Sequence, residues 1–465
     1  MSVSTEQPMK KAASQKVKQN PWTWIPSLYF IQGLPYIMVM SVAVTMYKTL
    51  EISNTEIALY TSWLYLPWVI KPIWSPFVDL VKTTRWWTWL MQVVIGGALA
   101  AVALTLPMAS FLQYSLAFFW LVAFSSATHD IAADGFYMKA LSDSNQAFFL
   151  GIRSSFYRVA MLTGQGAIVY IAGYLYEDMG MQYDYAWMWA FLALGGLILT
   201  GGLYHMFLLP KVEEEKQEDY TAKDIVKGLQ DTFVTFFSKK GIWLSIAFLL
   251  TFRLGEAQLV KLNIPFMLDE FAKGGLNMTA KEQGIIYGTI GMVALTLGGI
   301  LGGIALSKKG LKAWIMWMVL AINLPNGVYV LLSAFLPDTL QLAGLTDFLN
   351  LFDTFFEGVG FTSEPTRLFF ISIGIATEQF FYGFGFAGYL MYMIYISQGQ
   401  FKTSHYALCT GFMAMGMMLP GMASGYIQEM VGYTSFFIWV LVSALPCLLV
   451  TPLLKVDPNF GKKTA

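Results

Sequence analysis

Long apolar stretches alternate with short polar breaks along almost the whole chain. Runs of about 20 or more mostly apolar residues, long enough for a hydrocarbon core of ~30 Å, occupy 22–50, 55–80, 86–108, 111–139, 146–177 and 184–209. Six more follow at 241–268, 283–306, 312–336, 367–396, 404–430 and 433–454. The charged segment 211–240 separates the two sets. Within it Tyr220, Ile225, Leu229, Phe233 and Phe236 suggest a surface helix with one apolar side. The pattern predicts an all-α membrane protein with twelve transmembrane helices, six on each side of a linker. The expected parts are a tail at 1–20, a bundle at 21–210, a linker helix at 211–240, a second bundle at 241–455 and a tail at 456–465. The stretch 337–365 is an insertion between spans nine and ten. Leu345, Phe348, Leu349, Phe352, Phe355 and Phe356 would form one face of a helix there and Asp347, Asp353 and Glu357 the other, which predicts a helix lying in the membrane interface as a spacer or a lid.

Composition supports the membrane reading. The chain is 56% hydrophobic and only 12% charged, whereas soluble domains carry about 25% charged residues. Cys409 and Cys447 both sit in apolar runs, and the three histidines form no Cys/His cluster, so no metal and no disulfide framework is expected. A phosphate-binding G-x-x-x-x-G-K-[ST] motif is absent, as are H-E-x-x-H and G-x-S-x-G, so neither an ATP site nor a hydrolase is indicated. No cofactor and no nucleic acid is expected. The first twenty residues lack an apolar core and read as a tail, not a cleaved signal peptide.

Basic residues set the expected orientation. The two tails, the linker, and the loops at Lys82, Arg85, Lys139, Lys308, Lys309, Lys312 and Lys402 all fall on one side, against Lys48, Lys273, Lys281 and Arg367 on the other. Both termini are therefore expected in the cytoplasm.

Ionisable residues inside the spans are the candidate chemistry, because an ionised side chain in a bilayer core costs roughly 2.5–3.5 kcal/mol on insertion scales. Span four carries His129, Asp130 and Asp134, and the two aspartates, four apart, share a helix face. Counted from the tight loop near Asp143–Ser144, Asp134 matches Arg153 in depth and Asp130 matches Arg158, which predicts two ion pairs. These are either static braces or parts of a transport path. His129 is either a proton relay or a hydrogen-bonded buried histidine. In span seven Arg253 and Glu256, three apart, either neutralise each other or line a cavity, and Lys261 is expected to reach toward the outer interface. Glu378 in span ten has no cation on its own helix. Low dielectric favours the neutral form of an unpaired carboxyl, so Glu378 and Glu256 are the foremost candidate proton carriers, and Asp130 is the third. Span one contributes Gln32 and Tyr36 around a helix loosened by Gly33 and Pro35, and span two places Lys71 among three prolines. Interrupted helices with polar groups at mid-depth mark substrate sites in transporters, so Gln32, Tyr36, Lys71, Arg158 and Arg253 are the candidate substrate contacts. Asp79 and Arg85, at the loop after span two, and the pair Asp134–Arg153 are assigned gating or structural roles. The two halves show weak internal similarity: DLVKTTRW and SKKGLKAW follow spans two and eight, and Ala127–Thr128 and Ala376–Thr377 each precede an ionisable residue.

Several stretches together resemble one family. FIQGLPYIM, KPIWSPFVD, SATHDIAADGF, FRLGEA, EQFFYGFGFAGYLMYM and FKTSHYALCTGFMAMG resemble the AmpG-type muropeptide permeases of the major facilitator superfamily, to which the acetyl-CoA transporters are related. The likeness runs from about 24 to 455. It implies two bundles working by alternating access, and proton-driven import of anhydromuramyl peptides across a bacterial inner membrane. The family's usual aspartate in span seven is Glu256 here, its Ser-Gln-Asp is Thr128-His129-Asp130, and the insertion 337–365 is not a family feature. The alternatives are transport of other oligosaccharides or of acetyl-CoA, or a membrane sensor or scaffold that transports nothing. A monomer in the lipid bilayer, acting on a small anionic substrate, is expected.

Overall fold

The computed structural model describes residues 20–141, 143–212, 222–335, 365–399 and 402–462. Among these the chain is helical, without strands. The expected interfacial helix at 337–365 lies outside the described residues, apart from Pro365, which opens span ten.

Among the described residues, ten helices are long and apolar enough to cross a membrane. One of them, Ser404–Leu453, has 50 residues. At 1.5 Å per residue that is roughly 75 Å, more than twice a hydrocarbon core. It therefore holds spans eleven and twelve, which part at Gly432, where φ is 75°. Span two is the pair of helices Asn54–Trp63 and Leu66–Val81, broken by a turn whose second helix opens with Pro67. With these two resolved, twelve crossing segments account for the fold. Span one (Pro21–Thr49) stays helical through Pro35 and relaxes into a wider π-turn at Met38–Val42. Span three is Thr84–Thr105, span four Phe111–Ala140 and span six Tyr183–Leu208. Span five runs from Asp143 to Glu177. The linker contains a helix at Ala222–Phe237. Span seven is Ile242–Leu268, span eight Ala280–Lys309, span nine Leu311–Ala334 and span ten Pro365–Ile396.

Spans three, four and six pack together in the first half, as do eight, nine and ten in the second. The halves meet along two seams, span two against span eleven and span five against span eight. Adding six to each span number turns one seam into the other, so the halves are related by a pseudo-two-fold arrangement. Glycine permits the close approach at both. A Cβ on Gly425 would fall 2.2 Å from the Asn54 carbonyl oxygen, and one on Gly288 would fall 2.2 Å from that of Gln165. Side chains such as Tyr47, Phe119 and Phe191 fill the first bundle, and Phe248, Phe252 and Tyr389 the second. Large apolar groups such as Phe207, Trp243 and Leu449 point outward, as lipid-facing positions do.

Candidate functional site

Two polar clusters lie inside the bundles. In the first, Asp130 of span four is the common acceptor. Gln32 Nε2 donates to its Oδ1 at 2.9 Å, Trp68 Nε1 donates to Oδ2 at 3.2 Å, and Lys71 Nζ stands 3.7 Å from Oδ2. Tyr36 packs edge-on against Trp68, with ring centroids 5.5 Å apart. Three candidate substrate residues thus surround one candidate proton carrier, all drawn from spans one, two and four.

Asp130 does not pair with Arg158, contrary to the depth argument. Arg158 Nη1 points across the seam to the Thr296 carbonyl oxygen of span eight, at 3.4 Å. Depth matching ignores rotation. Arg153 and Arg158 are five residues apart and so differ by roughly 140° around span five, while Asp130 and Asp134 differ by only about 40°. A geometry that satisfies one pair cannot satisfy the other. The Asp134–Arg153 pair is present at 2.9 Å. Arg153 also lies over the rings of Tyr29 and Tyr137, at 4.4 and 4.9 Å, and the Tyr29 hydroxyl donates to Asp134 at 3.4 Å.

His129 faces away from Asp130. Its Nε2 meets Gln92 Nε2 at 2.9 Å, Gln92 Oε1 contacts His205 Nδ1 at 2.7 Å, and His205 Nε2 meets Ser27 Oγ at 2.9 Å. This buried network ties spans one, three, four and six together. The partners of His129 in it, Gln92, His205 and Ser27, were not legible from spacing. Arg85 donates to the carbonyls of Met206 and Leu209 and so caps the C-terminal end of span six. The side chain of Asp79 lies outside those described.

The second cluster forms where span seven breaks. The helix Ile242–Thr251 ends, Arg253 leaves helical geometry at φ −106° and ψ 17°, and a new helix runs Leu254–Leu268. Glu256 falls in the first turn of that second helix, where the positive end of the helix dipole favours an acid. Arg253 and Glu256 form no ion pair within 4 Å among the described residues. Arg253 instead donates to the Tyr382 hydroxyl and lies 5.2 Å from the Phe386 ring centroid. Its Nε and the Glu256 Oε2 are buried without hydrogen-bond partners. Glu378 of span ten is also buried, at 1% exposure. Its Oε2 accepts from Gln379 Nε2 at 2.9 Å and from the Tyr329 hydroxyl at 3.4 Å, while Oε1 has no partner. These partners are neutral. Unsatisfied buried polar atoms are costly, and spans seven and ten carry three of them here, Arg253 Nε, Glu256 Oε2 and Glu378 Oε1.

Lys261 departs from expectation. It does not extend to the outer interface but is fully buried, donating to Thr61 Oγ1 of span two at 2.9 Å, over the Tyr65 ring at 5.1 Å. Buried partners in the facing bundle, not lipid headgroups, receive the ammonium.

The ends of the bundles that carry Lys48 and Asp269 are bolted together. Lys48 Nζ lies 2.7 Å from Asp269 Oδ1. Asn54 Nδ2 donates to Gln428 Oε1 and to the Tyr433 hydroxyl at 2.7 and 2.9 Å, and Tyr433 donates to Asp269 Oδ2 at 2.6 Å. Thr55 donates to Glu429 through both its backbone N–H and its hydroxyl. Lys281 Nζ holds Asp178 at 2.9 Å across the other seam. Along the sequence Lys48 and Lys281 bear only on orientation. Their pairing depends on loop positions that no spacing within one helix reveals.

The sequence matches the Major Facilitator Superfamily over residues 27–366. The chain belongs to the major facilitator superfamily. It is similar to the anhydromuropeptide permease of Escherichia coli K12, with 23% identity over 94% of this chain and 82% of that protein. It is also similar to the putative transporter AmpG 4 of Rickettsia conorii, at 23% identity over 93% of this chain and 96% of that one. Among solved structures, the nucleoside transporter NupG superposes with a TM-score of 0.65 at 17% identity, covering 94% of this chain and 98% of that one. A D-xylose-proton symporter superposes with a TM-score of 0.65 at 10% identity, covering 95% and 99%. At these identities the superpositions carry the fold alone. Family and fold together make this superfamily member a multi-pass membrane transporter of small molecules, not an enzyme.

Proposed function

We propose that this chain is a proton-coupled importer of anhydromuramyl peptides or related amino-sugar compounds, working by alternating access in a bacterial inner membrane with both termini in the cytoplasm. Similarity to an anhydromuropeptide permease along nearly the whole chain supports the substrate class. The observation that carries the mechanism is the broken span seven, which holds Arg253 at the break and sets Glu256 within electrostatic reach of the buried carboxyl of Glu378. Arg253 is suited to hold a substrate carboxylate through a bidentate contact. Gln32, Tyr36 and Lys71, grouped on Asp130, form the facing wall for hydroxyls and acyl groups. Glu378, whose carboxyl sits among neutral partners where low dielectric favours the protonated acid, carries a proton, and Asp130 beside Lys71 and Glu256 near Arg253 complete the proton path. Arg158, bonded to the span-eight backbone, works at the moving seam. Asp134, Arg153 and Arg85 brace the first bundle, and Asp79 stays with the gating loop after span two. The end that carries Lys48 and Asp269, the outer end on the charge-derived orientation, is held closed by these bonds.

Counterflow in proteoliposomes tests the substrate assignment. Vesicles loaded with an anhydromuramyl tripeptide should take up labelled tripeptide, and acetyl-CoA or plain hexoses should compete poorly. Indifference to the tripeptide with response to another oligosaccharide or to acetyl-CoA would replace the substrate class. No counterflow with any of them would favour a non-transporting role.

A further inference from the structure

Lys261 is a fully buried lysine that the proposed mechanism does not use. Its ammonium has three hydrogens to donate, and one goes to Thr61 Oγ1. Thr61 in turn donates to the Ile57 carbonyl oxygen at 2.7 Å, so its lone pair is free for the lysine. Among the described residues no carboxylate lies within ion-pair distance of Nζ. Next to it, Ser62 Oγ is buried without a partner. A Cβ on Gly421 of span eleven would come 2.6 Å from that oxygen and 3.5 Å from Lys261 Cγ, so the lysine stem and the serine hydroxyl converge on one bare glycine. A lysine kept only for packing would be replaced at lower cost by Met or Leu, since a buried charge is retained cheaply only when something compensates it. The bond to Thr61 joins the two bundles, and it must part when the Lys48–Asp269 end opens. The ammonium, Ser62 Oγ and the Tyr65 ring then face the widening cleft.

Arg253 lies eight residues before Lys261, which is about 12 Å along a helix. Tyr65 connects them, since its ring underlies the Lys261 ammonium and it is within electrostatic reach of Arg253. We infer that Lys261, with Ser62, forms a second anion subsite that receives a carboxylate of an extended substrate, outward of the group held by Arg253. The inference rests on the amino-sugar-peptide reading and adds to it a requirement for two separated anionic groups. The ammonium trades the Thr61 hydroxyl for an ion pair with a carboxylate, in which both partners are charged, so substrate binding favours the separated bundles.

The test compares uptake of an anhydromuramyl tripeptide with that of its fully amidated counterpart, in wild type, Lys261→Gln, Lys261→Arg and Thr61→Val. Wild type should prefer the free acid. Lys261→Gln should raise KM for the acid about tenfold, the scale of one lost charged hydrogen bond, with kcat retained and KM for the amide unchanged. Lys261→Arg should restore the acid preference, and its folding controls for loss of the buried lysine. Thr61→Val removes the resting partner but not the subsite, and should leave the acid KM within about twofold. A Lys261→Gln protein that keeps the wild-type acid preference, or a wild type with equal KM for acid and amide, overturns the Lys261 assignment and leaves the substrate reading standing. A wild type that transports neither compound overturns both.

Discussion

Lys48 at the end of span one and Asp269 at the end of span seven lie 2.7 Å apart, with side-chain exposures of 13% and 6%. Asp269 also accepts from Tyr433, which shares Asn54 with Gln428, so one carboxylate ties spans one, two, seven, eleven and twelve into a seal. Removing one partner of a mostly buried pair costs on the order of 3 kcal/mol, comparable to the difference between alternating states of a carrier. Asp269→Asn should therefore raise the population open at this end. Thiol labelling of a cysteine at Thr61, added from outside the cell, should accelerate about tenfold or more. Unchanged labelling in both Asp269→Asn and Lys48→Met would show that the pair does not hold the seal.

The partner of Asp130 is separable by a double-mutant cycle. Asp130→Asn combined with Lys71→Met should show a coupling energy of about 1 kcal/mol, as expected for a partly exposed pair with one shared oxygen. Asp130→Asn with Arg158→Leu should be additive to within about 0.5 kcal/mol. Thermal unfolding in detergent reads both. Coupling to Arg158 but not to Lys71 would contradict the geometry.

Arg153 should matter more to stability than the acid it pairs with. Asp134 is 43% exposed, so solvent screens the pair and Asp134→Asn should cost about 1 kcal/mol or less. Arg153→Met also removes the contacts with the Tyr29 and Tyr137 rings, each worth about 0.5–1 kcal/mol, and should cost about 2 kcal/mol in total. Equal midpoints for the two variants would remove the ring contacts from the account.

How much of this was legible in the sequence follows from what each feature depends on. Apolar run length sets the helix count, so the crossing segments could be read directly, including span two despite its break. The pair Asp134–Arg153 was legible because both residues flank a tight loop, where depth and neighbourhood coincide. Asp130–Arg158 failed because depth alone does not fix which way a side chain points around its helix. Lys261 was misread for a related reason: its distance from the helix end favours snorkelling, but its face turns toward span two. The Lys48–Asp269–Asn54–Tyr433 seal was invisible because Lys48 and Asn54 belong to one bundle and Asp269 and Tyr433 to the other, so the two pairs meet only once the bundles close. The break at Arg253 carries no proline or glycine at the break itself, so no local signal announced it.

The central claim is that buried carboxyls couple proton movement to import of an anhydromuramyl peptide. It is tested most directly by uptake of labelled anhydromuramyl tripeptide into proteoliposomes under an inward proton gradient, with and without a protonophore, in wild type, Glu378→Gln and Glu256→Gln. Wild type should accumulate the tripeptide and lose that accumulation with the protonophore. Both variants should fail to accumulate, and at least one should retain counterflow, because exchange needs no net proton movement. Wild-type uptake that ignores the protonophore, or full accumulation by both variants, would contradict it.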